Sequence, residues 1–305
     1  AGRRGIVTTA LEHPATEECC RLLERAGHRV RRVAPQADGG VAADDVIAAL
    51  DETTALVTVI HAQNEIGTLQ PVGEIFHAAR RRGAWTHADA AQSLGKVPVD
   101  VDALGADLLT VAGHKLYAPK GVGALYVRRG VALPPLLAGA GQEHGMRPGT
   151  ENVAFIVALG AACRIAAQKL DRDAVRIGAL AGQLLHRLQR AVPGLVLTGR
   201  PEQRLPNTLN LLFPGVSGRA LLEACPNVLA STGSACHAGS EEPSAVLLAL
   251  GIGREAALGA VRLSLGRATT AADVEAAADH LAAAWRRLRS AAAPAAAPRF
   301  SGALS

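Results

Sequence analysis

Aromatic side chains are scarce in this sequence, making up 3% of its 305 residues. A nucleic-acid interface usually interleaves aromatics with a basic stripe. Here the basic residues are scattered among acidic ones, so the net charge of +5 points to no nucleic-acid partner. Lysine is also rare: it stands only at Lys96, Lys115, Lys120 and Lys169, and arginine serves nearly everywhere else a cation is used. No run of about 18 uninterrupted apolar residues occurs, the length a membrane-spanning helix needs. The opening Ala-Gly-Arg-Arg leads into a short Ile-Val run, not into the apolar core of a secretion signal. The expectation is a soluble, cytoplasmic protein with no membrane contact.

Cysteine spacing excludes two further classes. Cys19, Cys20, Cys163, Cys225 and Cys236 form an odd, irregular set with no CxxC pair. That fits neither a disulfide framework nor a structural zinc site. Thiol chemistry at a single position remains open. There is no internal repeat.

What is present is a chain nearly half apolar, 49% by count, and long enough for two lobes. Short β-branched or apolar runs at 5–10, 55–60, 84–87, 107–111 and 123–127 alternate with helical patterns, such as 14–26 and the stretch after Pro71. Strands alternating with helices predict an α/β fold with a mostly parallel, helix-covered sheet. From Thr150 the texture turns to long Ala/Leu/Arg patterns, 153–169 and 173–191, with short strands near 207–213 and 261–265. The expected division is a large domain over 1–150, a smaller α+β domain over 151–290, and a disordered Ala/Pro-rich tail over 291–305.

In open α/β sheets ligands bind beyond the carboxyl ends of the strands, and four polar residues follow strand runs in this way: His13, Asn64, Asp89 and Lys115. A lysine retained against a strong arginine bias suits a need for a deprotonatable amine, such as a Schiff-base partner, with a surface cation as the alternative. Asp89 lies in His-Ala-Asp-Ala-Ala-Gln-Ser. It reads either as a helix N-cap or as the carboxylate that keeps a pyridinium nitrogen protonated. Cys236, in Ser-Thr-Gly-Ser-Ala-Cys-His-Ala-Gly-Ser, is flanked by small residues and is either an accessible reactive thiol or a plain surface cysteine.

Seven strings occur together in order: Glu-His-Pro-Ala (12–15), Gln-Asn-Glu-Ile-Gly (63–67), His-Ala-Asp-Ala-Ala-Gln (87–92), Gly-His-Lys (113–115), Arg-Pro-Gly-Thr-Glu-Asn (147–152), Gly-Ser-Ala-Cys-His (233–237) and Val-Arg-Leu-Ser-Leu-Gly-Arg (261–267). In this combination the chain resembles the cysteine desulfurase and selenocysteine lyase family of fold-type I pyridoxal-phosphate enzymes, over nearly its whole length to about Leu288. The resemblance implies a pyridoxal 5'-phosphate cofactor held by Lys115 as a Schiff base. It makes Asp89 the pyridinium partner, places Gln92 near the phenolic oxygen and stacks His13 on the ring, where an imidazole can also shuttle protons. His114 would donate to the phosphate. Thr150 would reach the phosphate of a neighbouring subunit, which implies a homodimer.

Arg262 would clamp the substrate carboxylate through its bidentate fork, assisted by Asn64; a strand-edge ion pair is the alternative for this arginine. The implied reaction removes sulfur from L-cysteine, leaving L-alanine and a persulfide on Cys236 for an acceptor protein such as an iron-sulfur scaffold. The other four cysteines are expected to be inert.

Two departures bear on these expectations. Family members begin with a further segment whose Gly-Thr-Glu type of loop cradles the cofactor phosphate at a helix N-terminus, so the sequence reads as a fragment whose hold on the cofactor is weakened. Gly113 stands where many desulfurases carry a serine that also contacts phosphate; selenocysteine lyases resemble the chain here and in Cys236-His237. A selenocysteine lyase and an inactive scaffold of the same fold are the competing readings.

Overall fold

A computed structural model describes residues 2–232 and 242–292. The five predicted strand runs, with one strand that was not predicted, β2, form one six-stranded sheet: β1 (Gly5–Thr9), β2 (Arg29–Val33), β3 (Thr54–Ile60), β4 (Trp85–Asp89), β5 (Leu108–Ala112) and β6 (Gly123–Val127), in the order β2-β1-β3-β4-β5-β6. Pairing is parallel from β2 to β5, and only β6 runs antiparallel to its neighbour. Parallel neighbours need crossovers. Helices α1 (Pro14–Arg25), α2 (Ala43–Ala48) and α3 (Val72–Arg81) supply the first three. The period of α3 explains its seat: Val72, Ile75, Phe76 and Ala79 fall on one stripe and are fully buried.

Beyond residue 150 a single helix, α4 (Val153–Ala191), runs where two helices were predicted. The expected gap at 170–172 holds no glycine or proline, and the adjoining Asp173 is buried with Arg267 4.0 Å away. By length and composition alone α4 could cross a membrane: its most apolar window has a mean hydropathy of 1.6, with 17% of that window buried. Its second half packs Ile177, Leu180, Ala181, Leu184 and Leu188 into a core under a second sheet. That antiparallel sheet orders β7 (Val196–Leu197), β8 (Thr208–Leu212) and β9 (Ala260–Ser264).

Short helices α5 (Gly218–Glu223), α6 (Ala245–Ala249) and α7 (Arg254–Leu258) lead to the C-terminal helix α8 (Ala271–Ala292). Helix α8 runs two residues into the expected tail, because Ala291 and Ala292 continue it with good helix formers; residues 293–305 lie outside the described ones. The core of the six-stranded sheet also draws Leu212, Val246, Leu247, Leu250 and Ala260 from the C-terminal half. The two sheets are therefore packed so that the carboxyl ends of β1, β3, β4 and β5 face residues of β9 and of the segment before α6.

Candidate active site

Sheet order puts the ends of β1, β3, β4 and β5 side by side, and each end carries one of the polar residues singled out above. They line one cavity of about 740 Å³, together with Gln92, His114, Glu65 and Arg262. Seven of the nine predicted site residues thus meet: His13, Asn64, Asp89, Gln92, His114, Lys115 and Arg262. Thr150 does not line this cavity; it is exposed in the loop just before α4, whose N-cap is Asn152. Cys236 lies outside the described residues.

No helix follows Asp89, so it forms a turn and is not a helix N-cap. Its Oδ1 accepts from Ala91 N–H at 2.9 Å, which fixes the turn leaving β4, and the buried carboxylate still borders the cavity. His13 also borders the cavity, and its Nδ1 accepts from Ala15 N–H at 3.1 Å and so caps α1. With Nδ1 occupied as an acceptor, the neutral ring carries its proton on Nε2. Gln63 shapes the loop that presents Asn64: its Oε1 accepts from the N–H groups of Glu65 and Ile66 at 2.6 and 3.0 Å.

Lys115 stands in a 3-10 turn (Gly113–Leu116) that follows β5 directly. It is half-buried, and desolvation, with the Arg262 charge second, holds its amine below the usual lysine range. That favours the free base a carbonyl needs. Arg262 comes from β9; its Nη1 donates to the carbonyl of Asn64 at 3.0 Å, and its backbone N–H donates to Ser231 O at 2.6 Å. No carboxylate takes up this guanidinium among the described residues, so the strand-edge ion pair is not what is seen.

Gly113 is a packing requirement. A Cβ there would stand 2.6 Å from Val122 O and 3.1 Å from Val122 Cγ1, so the turn leaves no room for a serine without movement. The four described thiols are unpromising. Cys20 and Cys225 are buried, and burial pushes both up, Cys20 to about 11; Cys163 is half-buried and Cys19 is exposed on α1.

Sequence reasoning passed over several residues of the site. Burial pushes the Glu12 carboxyl up to about 8, and its Oε1 accepts from Thr9 Oγ1 at 2.7 Å and from Ile60 N–H at 3.0 Å. Glu12 thereby ties the loop bearing His13 to the end of β3. Glu65, also raised by burial, is bonded by Ser244 and lies near Arg262. Lys96 sits behind Lys115, and its rarity as a lysine was the signal that could have marked it.

A sheet with this order and a lysine after its fifth strand, facing a carboxylate after its fourth, defines the architecture of a fold-type I pyridoxal-phosphate enzyme. Residues 1–277 match the aminotransferase class-V family, and the chain belongs to it. It is 42% identical over 275 residues to a cysteine desulfurase of Rattus norvegicus, covering 90% of the chain and 61% of the relative. It is 43% identical over 275 residues to a cysteine desulfurase of Klebsiella pneumoniae, covering 90% of the chain and 69% of the relative. Among solved structures it resembles a NifS-like protein with a TM-score of 0.85 at 33% identity, over 94% of the chain and 75% of that protein. The chain thus spans about three fifths of the length of the rat relative.

The family depends on pyridoxal phosphate, and the donor set of the cavity fits that group. Lys115 offers an amine for the aldehyde, Asp89 a buried carboxylate for the ring nitrogen, His13 a flat ring, and Gln92 and His114 groups able to donate to anionic oxygens.

Proposed function

We propose that the chain carries the apparatus of a cysteine desulfurase, which takes sulfur from L-cysteine, releases L-alanine and passes the sulfur through Cys236 to an acceptor protein. The observation that carries this reading is the convergence of Lys115, Asp89, His13 and Arg262 on one cavity. Pyridoxal phosphate, when bound, supplies an electron sink for the carbanion formed at the substrate Cα.

The protein's own residues do the rest. Arg262 orients the substrate carboxylate, with Asn64 beside it. Lys115, its amine depressed by burial, is the base that takes the Cα proton and returns one. Asp89 keeps a proton on the ring nitrogen, and His13, which borders the cavity, is the second proton carrier. The Cys236 thiolate attacks the substrate sulfur, so that the S–S bond of a persulfide forms as the C–S bond breaks.

A homodimer is part of the same reading. It is supported by the apolar surface that Val153, Ile156 and Val157 expose on α4. In this reading Thr150, exposed in the loop just before α4, serves the partner's cofactor.

The test is direct. The purified chain, supplied with pyridoxal phosphate, gains the absorbance of a lysine-bound cofactor, and Lys115→Ala abolishes it. L-Cysteine then yields L-alanine and reducible sulfur in equal amounts, and Cys236→Ser forms no persulfide. Persulfide formation that survives Cys236→Ser overturns the assignment of the nucleophile. Undiminished turnover of L-selenocysteine by that variant would instead favour the lyase reading, which the glycine at 113 also suits.

A further inference from the structure

Lys96 is a half-buried cation for which the mechanism above has no use. Its Nζ donates to Gln92 O at 2.7 Å and to Gln92 Oε1 at 2.9 Å, a two-point clamp on a single residue. Among the described residues no carboxylate pairs with it. Burial, and after it the charges of Lys115 and Arg262, push its amine down to about 8. A buried cation set beside two others is costly, so the fold retains Lys96 at this place against its electrostatics.

The local fold explains how it is held. Lys96 N–H donates to Ser93 O at 3.0 Å, closing a tight turn in which Gly95 takes a positive φ of 76°. A Cβ at Gly95 would lie 2.6 Å from Leu116 Cδ2 and 3.0 Å from Ala166 Cβ. The turn is therefore pressed against the Lys115 turn and α4, and Lys96 shares with Lys115 a small cavity behind the active site.

The chemistry of the clamp is one-sided. An ammonium only donates, so the end of the Gln92 carboxamide that meets it has to be the oxygen. Gln92 itself lines the active-site cavity. We propose that Lys96 is a positioning residue: it holds the Gln92 oxygen away from the cavity, so that the side-chain N–H group is what Gln92 presents to the phenolic oxygen of the cofactor. A released carboxamide could turn its oxygen toward that anionic atom and repel it. The inference rests on the reading of the cavity as a pyridoxal-phosphate site and adds to it a determinant of how the cofactor's oxygen is stabilised.

A donor on the phenolic oxygen favours the deprotonated form of the lysine-bound cofactor and lowers the pH at which its colour changes. Titrating the absorbance of the loaded protein, we expect Lys96→Met to raise that midpoint by about one pH unit, and Lys96→Arg, which keeps a donor, to stay nearer the parent. Gln92→Ala raises it as well, and the double variant shifts no further than Gln92→Ala alone. Additive shifts would mean that Lys96 acts by its charge and would overturn the proposal, as would an unmoved midpoint in Lys96→Met.

A second readout needs no cofactor. In the cofactor-free chain the side-chain amide signals of Gln92, followed by nitrogen-15 NMR, should shift and average in Lys96→Met and be largely restored in Lys96→Arg. Unchanged signals would overturn the clamp even if the chain takes up no pyridoxal phosphate, a failure that would count against the proposed function instead.

Discussion

The Arg267 guanidinium lies over the ring of Tyr117, 4.1 Å from its centroid, while the backbone N–H of Arg267 donates to the Tyr117 hydroxyl at 2.9 Å. The same side chain donates to the carbonyl of Leu116 at 3.1 Å. One residue just past β9 thus grips the turn that presents Lys115 from three directions. Tyr117 holds a positive φ of 70°, which a non-glycine residue adopts only at some cost. Arg267→Ala should therefore cost about 1 to 3 kcal/mol in urea unfolding. It should also weaken cofactor retention in equilibrium dialysis, although Arg267 does not line the main cavity. Unchanged retention alongside lowered stability would show that the grip serves folding alone.

Gly113 makes a second prediction, because it separates what is missing from what can be restored. A serine hydroxyl facing the phosphate would add a hydrogen bond to a charged group. Its Cβ, however, would meet Val122 O at 2.6 Å. Overpacking of this kind costs about 1 to 3 kcal/mol. Gly113→Ser should lower the thermal midpoint and leave cofactor affinity no better; tighter binding at equal stability would show that the turn yields.

Glu12 links the site to stability. Its folded-state value, raised from 4.5 to about 8 by burial, means that the native state prefers the protonated carboxyl. The sign follows: the contribution is intact below about pH 4.5 and is lost as the pH climbs through 8, since only the unfolded chain can ionise freely. Glu12→Gln mimics the neutral form and keeps an acceptor for Thr9 and Ile60. Between pH 5 and pH 9 the parent should lose about 2 kcal/mol or more relative to this variant in parallel denaturant titrations. Parallel curves would refute the buried-acid reading.

The chemistry was more legible in the sequence than the framework around it. Residues that end a strand announce themselves by position, so His13, Asn64, Asp89 and Lys115 could be placed on one sheet edge before any coordinates. Strand β2 went unread because its sequence, Arg-Val-Arg-Arg-Val, looks like an exposed helix or loop. It is an edge strand, and Arg29, Arg31 and Arg32 are spent on Asp51, Glu17 and Glu24. Lys96 and Glu12 escaped for another reason: their meaning lies in burial and in long-range partners, as with Glu12 and Ile60, 48 residues apart. No local pattern encodes such a contact.

The pairing of Lys115 with Arg262 brings both sheets into one prediction. Desolvation is the larger cause of the depressed Lys115 amine and the Arg262 charge the second. Removing that charge should raise the amine part of the way toward its ordinary value. In the cofactor-free chain, the rate at which Lys115 captures pyridoxal phosphate follows the fraction of free amine, so its pH midpoint reports this value. Arg262→Gln should move the midpoint upward and slow capture near neutral pH. Because the same residue is proposed to hold the substrate carboxylate, the variant should also raise the KM for L-cysteine by more than it lowers kcat. A changed KM with an unmoved capture midpoint would leave Arg262 a substrate clamp with no hold on Lys115.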